Sequence, residues 1–158
     1  MCNENVLISG LMGTGKAALA KEALKDKTFI FISFSDLFLC NYSLFESPRQ
    51  KLSRILESSL IDGIKGVIFG HLEELIEEAG LWTALSNSSD GWFKRLNFSC
   101  VSIICTVNSN SRALPLIQDH FLHHISVNTP DSCYSLRLAD LLNVQREASV
   151  LNLDEAFV

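Results

Sequence analysis

The chain has 158 residues, 47% hydrophobic and 20% charged, with three prolines and eight glycines, which suits one folded domain and is too apolar for disorder. A net charge of −5 with no block of like charge disfavours nucleic acid as a partner, since a phosphate backbone calls for a basic face. No basic stretch followed by a long apolar one opens the chain, and no run approaches the roughly 20 apolar residues of a membrane span, so a cytoplasmic protein without membrane insertion is expected.

In chain order, "NVLIS" (Asn5–Ser9) is a short apolar run that reads as a fully buried strand. The glycine-rich "GLMGTGK" (Gly10–Lys16) follows it. "KAALAKEALKD" (Lys16–Asp26) is then rich in strong helix formers, with Leu19, Ala23 and Leu24 on an apolar face. "TFIFISFS" (Thr28–Ser35) is β-branched and aromatic, a second strand; Phe31, Phe34 and Phe38 are expected in the core or at its edge.

Beyond a loop around "LCNYSLFE" (39–46), Ser47-Pro48 starts a helix as cap and first-turn proline. Leu52, Ile55, Leu56 and Leu60 recur along it at helical spacing, and Gly63 and Gly66 close it. "GVIFG" (Gly66–Gly70) reads as a third buried strand, "HLEELIEEAGLWTAL" (His71–Leu85) as one acidic helix, and "SNSSDG" (86–91) as a polar surface loop. "VSIICTV" (Val101–Val107) and "FLHHISV" (Phe121–Val127) give a fourth and a fifth strand. Thr129-Pro130 repeats the cap-and-proline start for a last helix, with Leu138, Leu141 and Leu142 on one side. Buried strands alternating with helices predict an α/β fold with a central parallel sheet covered on both faces, which binds ligands at the carboxyl ends of its strands.

Five cysteines (Cys2, Cys40, Cys100, Cys105, Cys133) form no C-x-x-C pair, and reduced thiols with one or two in the core are expected. His120 and His124 are four apart, but in or near a strand, where that spacing shares no ligand. His123 and His124 face opposite ways there, so no metal ligand is assigned. Trp82 and Trp92 are expected to be partly buried, and no G-x-S-x-G elbow is present.

Gly10, Gly15 and Lys16 satisfy the phosphate-loop spacing G-x-x-x-x-G-K, and Gly13 adds a further position without a side chain. In such a loop, backbone N–H groups and the amino end of the next helix face phosphate oxygens, and the lysine reaches the outer phosphates. The candidate nucleotide-binding residues are therefore Gly10, Leu11, Met12, Gly13, Thr14, Gly15, Lys16, Ala17 and Ala18. Ala17 stands where a serine or threonine ordinarily ligates Mg2+. Ala18 has no oxygen to offer instead, so ATP is the expected cofactor and Mg2+ binding is doubtful.

The stretch "ENVLISGLMGTGKAALAKEAL" resembles the first strand, loop and helix of the AAA (AAA+) family of ATPases. "KGVIFGHLEELIEEAG" is similar to that family's second nucleotide motif. "VSIICTVNSNSRALPLI" resembles its fourth strand, and "HHISVNTPDSCYSLRLADLL" its fifth strand and following helix. The resemblance covers Asn5 to Leu142 and implies a P-loop NTPase three-layer sandwich spanning 1–142. The tail, 143–158, is then the truncated start of a helical lid that is otherwise missing, as in a fragment or shortened form of a larger subunit.

Asn108 matches the sensor asparagine, the one catalytic position retained. In an ungapped match His71 falls on the magnesium-associated aspartate and Leu72 on the water-activating glutamate. Glu73 and Glu74 come after that pair and read as a solvated helix start. No arginine occurs in "QDHFLHHIS" where the family places its fingers, and Arg112 comes too early in the pattern.

The resemblance thus implies an ATP-binding, hydrolysis-impaired module of a hexameric protein-remodelling ATPase, with other AAA subunits and protein clients as partners. "IICTVNSNSRALPLIQDHFLHHISVNTPD" is most similar to the first AAA domain of the peroxin-1 and peroxin-6 type, which implies a place in peroxisomal protein import, peripheral to that membrane. Two alternatives stay open: a shikimate-type small-molecule kinase, whose loop "GLMGTGK" also resembles, and an interaction module without nucleotide.

Overall fold

The computed structural model describes residues 5–38, 46–77, 80–87 and 90–127. Outside these lie residues 39–45 of the loop expected at 39–46, the helix expected from Thr129-Pro130 with Leu138, Leu141 and Leu142, the tail from Asn143, and Cys2, Cys40 and Cys133.

Five strands form one sheet: β1 (Asn5–Gly10), β2 (Phe29–Ile32), β3 (Gly66–Phe69), β4 (Ser102–Asn108) and β5 (His123–Val127). All pairings are parallel, and the order across the sheet is β2-β3-β4-β1-β5. The expected α/β architecture with a parallel sheet is present. β1 lies between β4 and β5, with Gly10 opposite Asn108 on one side and Val127 on the other.

Strand alternation sorts the core into two clusters, one on each face. Val6, Ile8, Ile68, Ile104, Ile125 and Val127 share a face with Leu19 and Ala20 of helix α1 (Lys16–Ala23) and with Leu24 just after it. Leu7, Val67, Phe69, Ile103, Cys105 and Val107 point the other way. They meet residues of α2 (Phe34–Phe38), α3 (Pro48–Ile61), α4 (Leu72–Glu77), α5 (Trp82–Ser86), α6 (Trp92–Phe98) and α7 (Leu114–Gln118).

Helix α3 starts as expected. The Ser47 hydroxyl accepts from the Gln50 N–H while the Gln50 side chain accepts from the Ser47 N–H, a reciprocal cap ahead of Pro48. Leu52 and Leu56 are buried along it, and Ile55 and Leu60 pack against the same cluster.

Several boundaries differ from expectation. The second strand stops at Ile32, because the Asp36 carboxylate accepts from the Ser33 N–H at 2.8 Å and starts α2. The single helix expected over His71–Leu85 is two: Gly80, at φ +62, donates to the Ile76 carbonyl and Leu81 to that of Leu75, which turns the chain between α4 and α5. Helices α6 and α7 were not expected. Trp92, Phe93 and Leu96 are buried at helical spacing in α6, and Ile117 anchors α7. Trp92 is more fully buried than expected, while Trp82 is partly buried against the same core. Cys105 is a buried free thiol. Cys100 departs from the reduced state expected: it is disulfide-bonded.

Candidate phosphate-binding site

The connection from β1 to α1 carries all nine candidate binding residues, Gly10 to Ala18. Gly13 and Gly15 sit at φ +82 and +81, and a Cβ at either would strain the backbone. Thr14 is buried and folds the turn inward, its hydroxyl donating to the Leu11 carbonyl at 2.8 Å. Leu11 and Met12 are left exposed at the crest. Helix α1 opens without a side-chain cap, so its first N–H groups are available to an incoming ligand.

Lys16 is only 5% exposed, although lysine is rarely buried without a partner. Its ammonium curls over the loop and donates to the carbonyls of Gly10 (3.0 Å) and Leu11 (2.8 Å). Burial lowers its pKa from 10.5, and the Glu73 carboxylate pushes it the other way. The ammonium therefore feels a carboxylate across the cleft while its protons stay within the loop.

Parallel pairing brings Asn108 to this place, since it is the register partner of Gly10. The Asn108 side-chain oxygen accepts from the Asn110 N–H at 2.9 Å, and the Ser109 N–H donates to the Gly10 carbonyl at 3.0 Å. A cleft of about 540 Å³ opens beyond the carboxyl ends of β1, β3 and β4. Met12, His71, Glu73 and Asn108 line it; Glu74, Glu77, Asn110, Ser111 and Arg112 complete its rim. Arg112, set aside from the sequence pattern, is thus a cation at the cleft.

The β3–α4 turn rearranges the ungapped reading. His71 adopts φ +52, unusual for a residue with a side chain, and its N–H donates to the Thr106 hydroxyl at 2.9 Å. Leu72 turns into the core and is 0% exposed. It does not reach the cleft that the match with a glutamate position requires. Glu73 does reach it, and is not the solvated helix residue expected: its side chain is 13% exposed, with Oε1 3.5 Å from His71 Nδ1 and Oε2 buried without a hydrogen-bond partner. Glu74 is exposed, as expected. Nothing in the sequence pattern singled out Thr106.

The histidines go separate ways. His120 stands edge-on to Trp82, with ring centroids 4.8 Å apart, and His124 Nε2 lies 2.7 Å from the Ser9 hydroxyl. Burial lowers the pKa of His124, so the ring stays neutral at neutral pH. Ala17 and Ala18 follow Lys16 at the start of α1 and bring no oxygen to the cleft.

No protein-family model and no curated protein matches the chain. Among solved structures it is similar to a chain of the Escherichia coli MS115-1 HORMA:CdnC:Trip13 complex, at 14% identity and a TM-score of 0.56, over 98% of this chain and 58% of that one. It is also similar to a chain from a structure of katanin self-assembly, at 15% identity and a TM-score of 0.58, over 88% of this chain and 45% of that one. Both are AAA+ ATPase-related, and at these identities the likeness is one of fold. The chain spans about half the length of these neighbours.

Proposed function

We propose that this domain binds ATP through the Gly10–Lys16 loop and turns it over poorly. The observation that carries this reading is the loop itself. Two left-handed glycines and a buried lysine lie at the carboxyl end of a central parallel strand and open an uncapped helix. The distant likeness in fold to AAA+ proteins supports ATP over other phosphate ligands.

Poor hydrolysis is supported by three features. Ala17 lacks the Mg2+-ligating hydroxyl, Leu72 is sealed in the core where the match called for a base, and Gln118–Ser126 holds no arginine. Phosphoryl transfer depends on positioning and charge stabilisation, and an arginine finger alone is worth about 10³–10⁵ in rate.

The finer reading is a structural module of a hexameric remodelling ATPase, three-layered and P-loop in type, acting with other AAA subunits on protein clients in peroxisomal import. It rests on the sequence resemblance. Retained ATP would stabilise such an assembly through binding energy rather than turnover.

Titration with a fluorescent ATP analogue tests the binding step. Lys16→Ala should weaken affinity by about tenfold or more, the worth of one charge-assisted hydrogen bond. Equal affinity in wild type and variant would remove the loop from the site, and no binding by the wild type would favour the interaction-module alternative.

A further inference from the structure

We propose that the outer face of α3, with the end of α6 beside it, is a docking surface for an amphipathic helix of a partner protein, acidic at one end and apolar at the other. The two helices of this chain run side by side in step. Trp92 Nε1 donates to the Ser53 hydroxyl at 3.3 Å, and one turn on in each helix Arg95 faces Glu57 at 3.9 Å. A further turn brings Ile61 and Phe98 to the same end. The strands that follow keep this alignment: Gly66 of β3 pairs with Ser102 of β4, and the Ser102 N–H donates to the Lys65 carbonyl at 3.0 Å.

Ile61 and Phe98 are 86% and 89% exposed and belong to neither core cluster. Single apolar side chains are ordinary on a protein surface, whereas two large ones at the end of a groove form a contact patch. The groove that leads to them follows α3, measures about 570 Å³ and is lined in part by Arg49, Ser53, Arg54, Glu57 and Ile61. From Arg49 to Ile61 it runs about 18 Å, roughly three helical turns.

Its charges select the occupant. Glu57 is faced by Arg95, and Arg54 is held by Glu46 through two hydrogen bonds of 2.8 and 3.2 Å. Among the described residues Arg49 has no such carboxylate, and the amino end of α3 adds its own partial positive charge. At the other end the exposed Asp62 stands next to Ile61 and repels a second carboxylate. An occupant therefore brings acid to Arg49 and apolar side chains without acid to Ile61 and Phe98. A helix packed along the ridges of α3 reaches both ends at once. One helix face of this length falls short of the roughly 1,000 Å² of a stable interface, so the contact is weak and reversible.

The test uses two fluorescein-labelled helical peptides of about three to four turns, each with leucine and phenylalanine in one end turn. One carries glutamates in the opposite turn and the other lysines. Fluorescence anisotropy with the full chain reads their affinities. The glutamate peptide should bind the wild type with a Kd on the order of 100 µM or tighter, and the lysine peptide about tenfold more weakly or worse. Arg49→Glu should reverse that order, a charge swap that misfolding could not produce. Phe98→Ser should weaken the glutamate peptide about tenfold, the worth of one buried aromatic side chain. Equal binding of the two peptides by the wild type, binding of neither, or affinities unchanged in both variants would overturn the proposal. A wild type that sediments as a dimer, with Phe98→Ser a monomer, would also overturn it by giving the surface to a second copy of the chain.

Discussion

At the scale of single residues, the β3–α4 turn decides which side chains face the cleft. Leu72 and Glu73 are neighbours in sequence, yet one is core and the other looks toward Lys16. A linear motif match assumes an ordinary turn after the strand; here the left-handed His71, fixed by Thr106, changes where the following side chains point. Grafting a glutamate at the matched position should therefore fail. Leu72→Glu puts a carboxylate among Leu75, Phe69 and their neighbours and should lower stability by about 3 kcal/mol or more. Urea denaturation measures the loss. A variant as stable as the wild type that gained ATP turnover would show that the ungapped match was right.

At the scale of elements, the glycine-rich connection ties three strands together. The Gly10 carbonyl accepts from both Lys16 and Ser109, and the residue pairs with Asn108 and Val127. A methyl at Gly10 would collide with the Val127 carbonyl oxygen and the Thr14 hydroxyl. The obstacle on the strand side is backbone and cannot rotate away. Gly10→Ala should cost about 1–3 kcal/mol, as overpacking does. It should also loosen β5 first, seen as faster amide hydrogen exchange over Ile125–Val127 than over β3. Uniform exchange with wild-type stability would show that the β1–β5 end is softer than the pairing implies.

How far each element was legible depends on its length and on what fixes it. Strands β1 to β4 and helices α1 and α3 could be read because local signals agree: continuous apolar runs for the strands, and alanine-leucine content or a serine-proline cap for the helices; β5 shows only alternating burial, with Ile125 and Val127 inside. Helices α2, α6 and α7 have only five to seven residues, too short for a repeat to stand out. Tryptophan and phenylalanine in α6 are modest helix formers, so its helix rests on burying Trp92, Phe93 and Leu96. Those three positions, following Gly91, were the signal available. In the site, the loop residues were legible from spacing. Glu73 and Thr106 were not, because their placement comes from the φ of His71 and a contact between the β3–α4 turn and β4 that no local pattern encodes.

At the scale of the molecule, a parallel sheet gathers the ends of β1, β3 and β4 at one cleft, and chain segments far apart in sequence meet there. On the proposed reading, the loop and Asn108 suit it to holding a phosphate tail. On the same reading, the missing hydroxyl at Ala17 and the inward Leu72 disfavour cleaving one. Holding without cleaving can be read directly from the nucleotide that remains on the protein. Incubate the chain with ATP and Mg2+ for several hours, remove free nucleotide by rapid desalting, and identify what is bound by chromatography. The predicted result is ATP approaching one per chain, with no excess of ADP over a protein-free control. Bound ADP with phosphate released over many turnovers would contradict the account from the side of chemistry, and no retained nucleotide from the side of binding.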